Sequence, residues 1–136
     1  MKIVVDTSVW SLAFRRERPA GAPQPRMLGE LISSGQAVYL LGVMFQELLQ
    51  GIRDPKQFQN LKSLLAAFPL IEPTRNDYER AADLFTTCRH NDIQVGTVDC
   101  LIASIAIQNE CYLFTADKDF QAIAGVSSLK LLERSA

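Results

Sequence analysis

Cysteine and histidine are scarce in this 136-residue chain, with three of the first and one of the second. Cys88, Cys100 and Cys111 are odd in number, form no CxxC pair and have only His90 for company, which argues against a disulfide framework and a structural zinc site. Long apolar runs are absent too. None approaches the ~18 residues of a membrane span, and Asp6 interrupts Met1-Lys2-Ile3-Val4-Val5 too early for a signal-peptide core. A cytoplasmic location away from any membrane is the expectation. Nor is there an excess of one charge: 14 basic against 15 acidic residues leave a net of −1, which excludes nucleic-acid binding by bulk charge alone. Only 7 Gly and 6 Pro are present, so collagen-like and low-complexity chains are ruled out. With 48% hydrophobic residues, what remains is an ordinary globule, expected to form a single domain over 1–136 without internal repeats.

The charges are uneven. Lys2, Arg15, Arg16, Arg18 and Arg26 stand against Asp6 and Glu17 within residues 1–26, so this segment is positive and the rest is negative. Arg15 to Pro25 contains three prolines and one glycine, which predicts an exposed basic loop. Such a loop could help recruit a polyanion, present a surface to an acidic partner, or simply solubilise.

Short β-branched or apolar runs alternate with longer helical patterns. Strands are expected at 2–5, 37–41, 69–73, 111–115 and 129–132. Helices are expected from Asp6-Thr7-Ser8 to Phe14, through Met27 to Gly35, and over 42–52. Asp54-Pro55 is an N-cap followed by a proline in the first turn, and Thr74-Arg-Asn-Asp77 approaches a capping box. The last helices fall at 98–108 and 118–124. This alternation specifies an α/β fold, a three-layer sandwich around a mainly parallel sheet, where sites form at the carboxyl ends of strands.

Both Asp6 and Asp117 fall just past expected strands, so distant acids could meet at one sheet edge. Each acid also has a plain structural use. Asp6 could cap the first helix, as could Ser8; Asp117 could cap the helix opening at Lys118; Asp99 would gain from the helix dipole after Thr97. Glu47 is harder to dismiss, because no Lys or Arg stands three or four residues away.

The combination is more specific than any single acid. Val4-Val5-Asp6-Thr7-Ser8-Val9-Trp10, Phe45-Gln46-Glu47-Leu48, Thr97-Val98-Asp99-Cys100-Leu101-Ile102-Ala103 and Leu113-Phe114-Thr115-Ala116-Asp117-Lys118-Asp119-Phe120 follow one another across the chain. In this order they resemble the PIN-domain family, and within it the VapC-type ribonuclease toxins of toxin–antitoxin pairs. The resemblance implies a five-stranded sheet in the order 3-2-1-4-5. It also implies that Asp6, Glu47, Asp99 and Asp117 are catalytic and bind metal. Asp119 matches a frequently acidic position, for which helix capping or support of the ligands is expected, and Ser8 and Thr115 match hydroxyls that would orient a carboxylate or water.

The implied activity is an Mg²⁺- or Mn²⁺-dependent endoribonuclease leaving a 3′-hydroxyl and a 5′-phosphate. Hard divalent cations prefer carboxylate and water oxygens, and two of them ~3.5–4 Å apart can activate water and support the leaving oxygen. A single histidine does not suit the histidine-pair mechanism of metal-independent ribonucleases. The implied partners are an RNA substrate, a small VapB-like antitoxin and a second copy of the chain, whose interface could draw on Phe58, Leu61, Leu64 and Leu65. A phosphate-accepting signalling domain fits less well, since Asp6 is followed by Thr7 and Ser8 rather than a second acid. The Ser at position 8 likewise disfavours a haloacid-dehalogenase-type phosphohydrolase. A catalytically silent interaction domain would not need all four acids.

Overall fold

A computed structural model describes residues 1–14 and 21–133. Arg15, Arg16 and Arg18 of the expected basic loop lie outside the described residues. Strand β1 (Lys2–Val5) leads into α1 (Thr7–Phe14), followed by α2 (Gln24–Ser33), β2 (Ala37–Leu41), α3 (Gly42–Gln50) and α4 (Pro55–Leu65). Then come β3 (Leu70–Ile71), α5 (Arg75–His90), α6 (Thr97–Gln108), β4 (Tyr112–Phe114), α7 (Asp119–Gly125) and β5 (Lys130–Leu131). All strand pairs are parallel, and the sheet order is β3-β2-β1-β4-β5.

Side-chain alternation along the strands separates two apolar layers. Ile3, Val5, Val38, Leu40 and Phe114 face a cluster with Val9, Trp10, Leu28 and Leu65 from α1, α2 and α4. Val4, Leu41 and Leu113 face the opposite cluster, with Leu84 and Cys88 of α5, Ile102 and Ile105 of α6, and Phe120 and Ile123 of α7. Helix α3 contributes Met44 to the second cluster and Leu48 to the first. Burying the central strands on both faces explains their unbroken apolar sequence. Trp10 fixes α1 against the sheet: its indole N–H donates to the Val5 carbonyl at 3.2 Å, and its ring meets Phe68 edge-on at 5.2 Å.

The helix boundaries follow local chemistry. The Asp54 carboxylate caps α4 by accepting from Gln57 N at 3.1 Å, and the Thr74–Asp77 capping box is present at α5. Gly35, at φ +75°, supplies the left-handed residue that ends the α2 region. Helix α2 starts earlier than the proline-rich sequence predicts, at Gln24 rather than near Met27, because Pro25 falls in the first turn, where its missing N–H costs nothing. Arg26 is consequently helical, and its guanidinium pairs with Glu30 at 3.1 Å, so its charge is matched within its own helix. Among the four apolar residues considered for an interface, Leu65 is a core residue while Leu64 is 48% exposed.

Among the described residues, no helix is long and apolar enough to cross a membrane. Cys88, Cys100 and Cys111 are free and buried.

Candidate active site

The sheet order changes direction at β1, whose two neighbours are β2 and β4. Chain segments leaving the carboxyl ends of β1 and β4 therefore diverge from a common edge, which creates a crevice. The Asp6 amide continues the ladder by donating to the Phe114 carbonyl at 2.8 Å. Its own carbonyl then accepts from Val9 and Trp10 N and opens α1.

The Asp6 side chain does something other than cap that helix. Asp6 Oδ2 accepts hydrogen bonds from the Ser8 hydroxyl at 2.7 Å and the Thr115 hydroxyl at 2.9 Å. Both hydroxyls also hold the loop after β4: Ser8 Oγ accepts from Ala116 N at 3.0 Å across the crevice, and Thr115 Oγ1 accepts from Asp117 N at 3.0 Å within its own loop. The loop after β1 and the loop after β4 are thereby laced into one unit. Asp6 is only 7% exposed, and a buried carboxylate needs such donors. Thr7 Oγ1, next in the chain, is the one buried side-chain oxygen without a partner among the described residues, the kind of group that water or an ion satisfies.

Asp99 reaches the crevice from the first turn of α6, whose N-cap is Gly96. Gly96 lies against the Asp99 carboxylate: a Cβ built there would stand 3.6 Å from Asp99 Oδ2, an ordinary contact distance. Asp117 follows β4 and accepts from Asp119 N at 2.9 Å, a local turn that sets the start of α7. Lys118 is the N-cap of α7 and no side chain caps that helix, so the expected capping role of Asp117 reduces to this one turn bond, which uses a single carboxylate oxygen. Asp99, Asp117 and Asp119 each present an oxygen within 4.8 Å of the others. Asp119 thus joins the acid group itself. The alternating acids of Asp117-Lys-Asp119 carried that signal in the sequence, obscured by the equally good capping explanation.

Asp6 and Glu47 lie outside this tightest group yet act on it electrostatically. Burial first, and then the negative charges of Asp117, Asp6, Asp119 and Glu47, push the Asp99 carboxyl above its ordinary 3.8. Burial, followed by the charge of Asp6, likewise raises Glu47 above 4.5. Glu47 is carried on α3 between Gln46, which bonds Gln50, and the buried Leu48. Among the described residues, the only ion pair is Arg26–Glu30, so no Lys or Arg neutralises the acids within salt-bridge distance. Among the described residues, Asp99, Asp117 and Asp119 come together without a counter-cation, a set of carboxylate oxygens that suits a hard divalent metal ion. The nearest thiol in sequence, Cys100, is unsuited to join them, since burial pushes it up to about 11 and it packs in the core.

A match to the PIN domain family model extends over residues 3–126, which includes every one of these acids. The chain belongs to the PIN domain family. Relatives include the VapC ribonuclease Mb1587 of Mycobacterium bovis and ribonuclease VapC11 of Mycobacterium tuberculosis, each 28% identical over 130 residues, covering 94% of this chain and 96% of the relative. The fold is also similar to that of VapBC2 from Rickettsia felis, solved with a promoter DNA fragment, at a TM-score of 0.79 with 21% identity, covering 99% of this chain and 100% of the other. FitAcB from Neisseria gonorrhoeae gives 0.78 at 21% identity, with 96% of each chain covered. The PIN fold thus agrees with the sheet order and acid motifs legible in the sequence.

Proposed function

We propose that this PIN-domain protein is an endoribonuclease, the toxin of a VapBC-type pair, and that it hydrolyses RNA phosphodiester bonds with Mg²⁺ or Mn²⁺. The observation that carries this reading is the convergence of Asp99, Asp117 and Asp119 beside Asp6 and Glu47 at the β1–β4 edge. Relatives named as VapC ribonucleases across nearly the whole chain supply the substrate class.

Asp6, Asp99 and Asp117 are assigned as the principal metal-binding and catalytic acids. Glu47 completes the set from α3, and Asp119 contributes from the start of α7. A divalent cation bound there supplies Lewis-acid polarisation of the phosphoryl oxygen and lowers the pKa of an attacking water. Ser8 and Thr115 hold the Asp6 carboxylate in one orientation, which limits the reorganisation needed during reaction. Without a compensating positive charge the acids would repel a phosphodiester. The water oxygen bonds to phosphorus as the P–O3′ bond breaks, and the leaving oxygen gains a proton, giving a 3′-hydroxyl and a 5′-phosphate.

Such an activity requires restraint, and the partner assigned here is a VapB-like antitoxin. A neighbour from Klebsiella pneumoniae was solved as a toxin–antitoxin complex, and the Rickettsia felis neighbour is a VapBC assembly. A homodimer is the assembly proposed for the toxin.

The test is cleavage of a mixed RNA pool by the purified chain. Fragments should accumulate with Mn²⁺, stop with excess EDTA, and return when the metal is restored. An intact pool under all three conditions would refute the assignment.

A further inference from the structure

We propose that a cavity beside Asp117 seats one nucleobase of the RNA strand next to the scissile phosphate, and that the carboxamides of Gln24 and Gln121 read it. This inference rests on the endoribonuclease reading and adds a specificity element to it.

The cavity measures about 330 Å³, within the roughly 300–1,000 Å³ of small-molecule sites. It begins at the reaction centre, since Thr115 and Asp117 form part of its wall. Met27 of α2 and Leu131 of β5 give it an apolar surface suited to the face of a base, to which a polarisable thioether adds dispersion. Gln24, in the first turn of α2, and Gln121, on α7, border the same space from different elements. Neither carboxamide makes a hydrogen bond among the described residues, in contrast to the Gln46–Gln50 pair on α3.

Charge distinguishes a base from a phosphate as the occupant. Among the described residues, the wall carries Asp117 and Glu133 against one cation, Lys118, so these groups together oppose an anion inside. A neutral base does not. Lys118, exposed at the rim, is placed to meet the phosphate on either side of that base. A larger space of about 740 Å³ borders Met27, Leu132 and Glu133 as well, so a second open surface adjoins this one along α2. Each carboxamide offers both donor and acceptor atoms, a pattern that pairs in bidentate fashion with adenine N6 and N7. Adenine is therefore the base that this site should favour.

The experiment is cleavage of a randomised RNA pool in Mn²⁺, with the cut ends sequenced, for the parent chain and for Gln24→Met, Gln121→Met and the double variant. Methionine keeps the length of glutamine and removes its hydrogen-bonding atoms. The parent should prefer adenine within two nucleotides of the cut, and the double variant should lose that preference on the order of ten-fold. Melting temperatures with and without Mn²⁺ should be retained, because neither residue touches the acid group. A general loss of folding lowers the rate at all sites alike and leaves base preference unchanged, so the profile reports on the cavity itself. A parent profile without preference near the cut, or one unaltered in the double variant, overturns the inference and leaves the endoribonuclease standing. Absence of metal-dependent cleavage by the parent overturns both.

Discussion

The Thr115 hydroxyl donates to Asp6 Oδ2 across a sequence separation of 109 residues, at 2.9 Å. It also accepts from Asp117 N, so one small side chain sets the position of two proposed ligands that follow different strands. Thr115→Val keeps the shape and removes both interactions. The variant should fold, lose roughly 10–100-fold in metal affinity or activity, and be partly restored by Thr115→Ser. Isothermal titration with Mn²⁺ would measure it, and parent-like affinity in the valine variant would show that the hydroxyl is not needed for orientation.

Asp99 carries the largest set of like-charged neighbours. Converting Asp6, Asp99 or Asp117 to Asn should lower cleavage by at least about 100-fold, since several kcal/mol of transition-state stabilisation is removed. Without metal, Asp99→Asn should melt at or above the parent temperature, because a repelled carboxylate has been replaced by a neutral isostere. With Mg²⁺, the order should reverse, as only the parent gains from binding. Melting curves for both proteins in EDTA and in Mg²⁺ decide the point.

Glu47 belongs to a helix rather than a strand end, and Asp6 is the charge that most directly opposes its ionisation. Glu47→Gln should reduce turnover by about 10–100-fold while leaving the fold intact, since the buried Leu48 and Leu49 anchor α3. Steady-state kinetics across an Mn²⁺ series would register the loss. Unchanged kinetics throughout the series would remove Glu47 from the site.

The raised carboxyls of Asp99 and Glu47 also give stability a pH dependence. An acid whose folded pKa exceeds its unfolded value binds more protons when folded, so its ionisation lowers stability as pH rises. For these groups, the loss begins near their ordinary values of 3.8 and 4.5 and is complete above their raised ones. Metal-free protein should therefore lose stability from this source between acid and neutral pH, whereas Asp99→Asn should show a smaller decline. Mg²⁺ should stabilise the parent more at neutral pH than near pH 4, where protons compete for the same oxygens. Melting temperature against pH, with and without metal, measures both trends.

Strands and caps were legible because their causes are local. The β-branched run Ile3-Val4-Val5, the Asp54-Pro55 start and the Thr74 capping box each specify an element within a few residues. The start of α2 was misread because a proline-rich segment can be either loop or helix first turn, and packing of Met27 and Leu28 decides between them. The four spaced acid motifs supported the resemblance, but their geometry depends on long-range contacts. Nothing near Ser8 or Thr115 in sequence shows that each serves both sides of the crevice. Asp119 looked like a capping residue for the same reason, and the free carboxamides of Gln24 and Gln121 have no sequence signature at all.

The lacing of the two loops has a consequence for the timing of biosynthesis. Asp6 and its partner Ser8 are made almost together, but its second hydroxyl partner, Thr115, follows 109 residues after it. At translation rates of about 5–20 residues per second, this is an interval of roughly 5–20 s. Throughout that interval β1 lacks its β4 neighbour, and Asp99, Asp117 and Asp119 have not all been made. The nascent chain therefore carries Asp6 without a working centre, and the nuclease site comes into being only after Asp119 has been added.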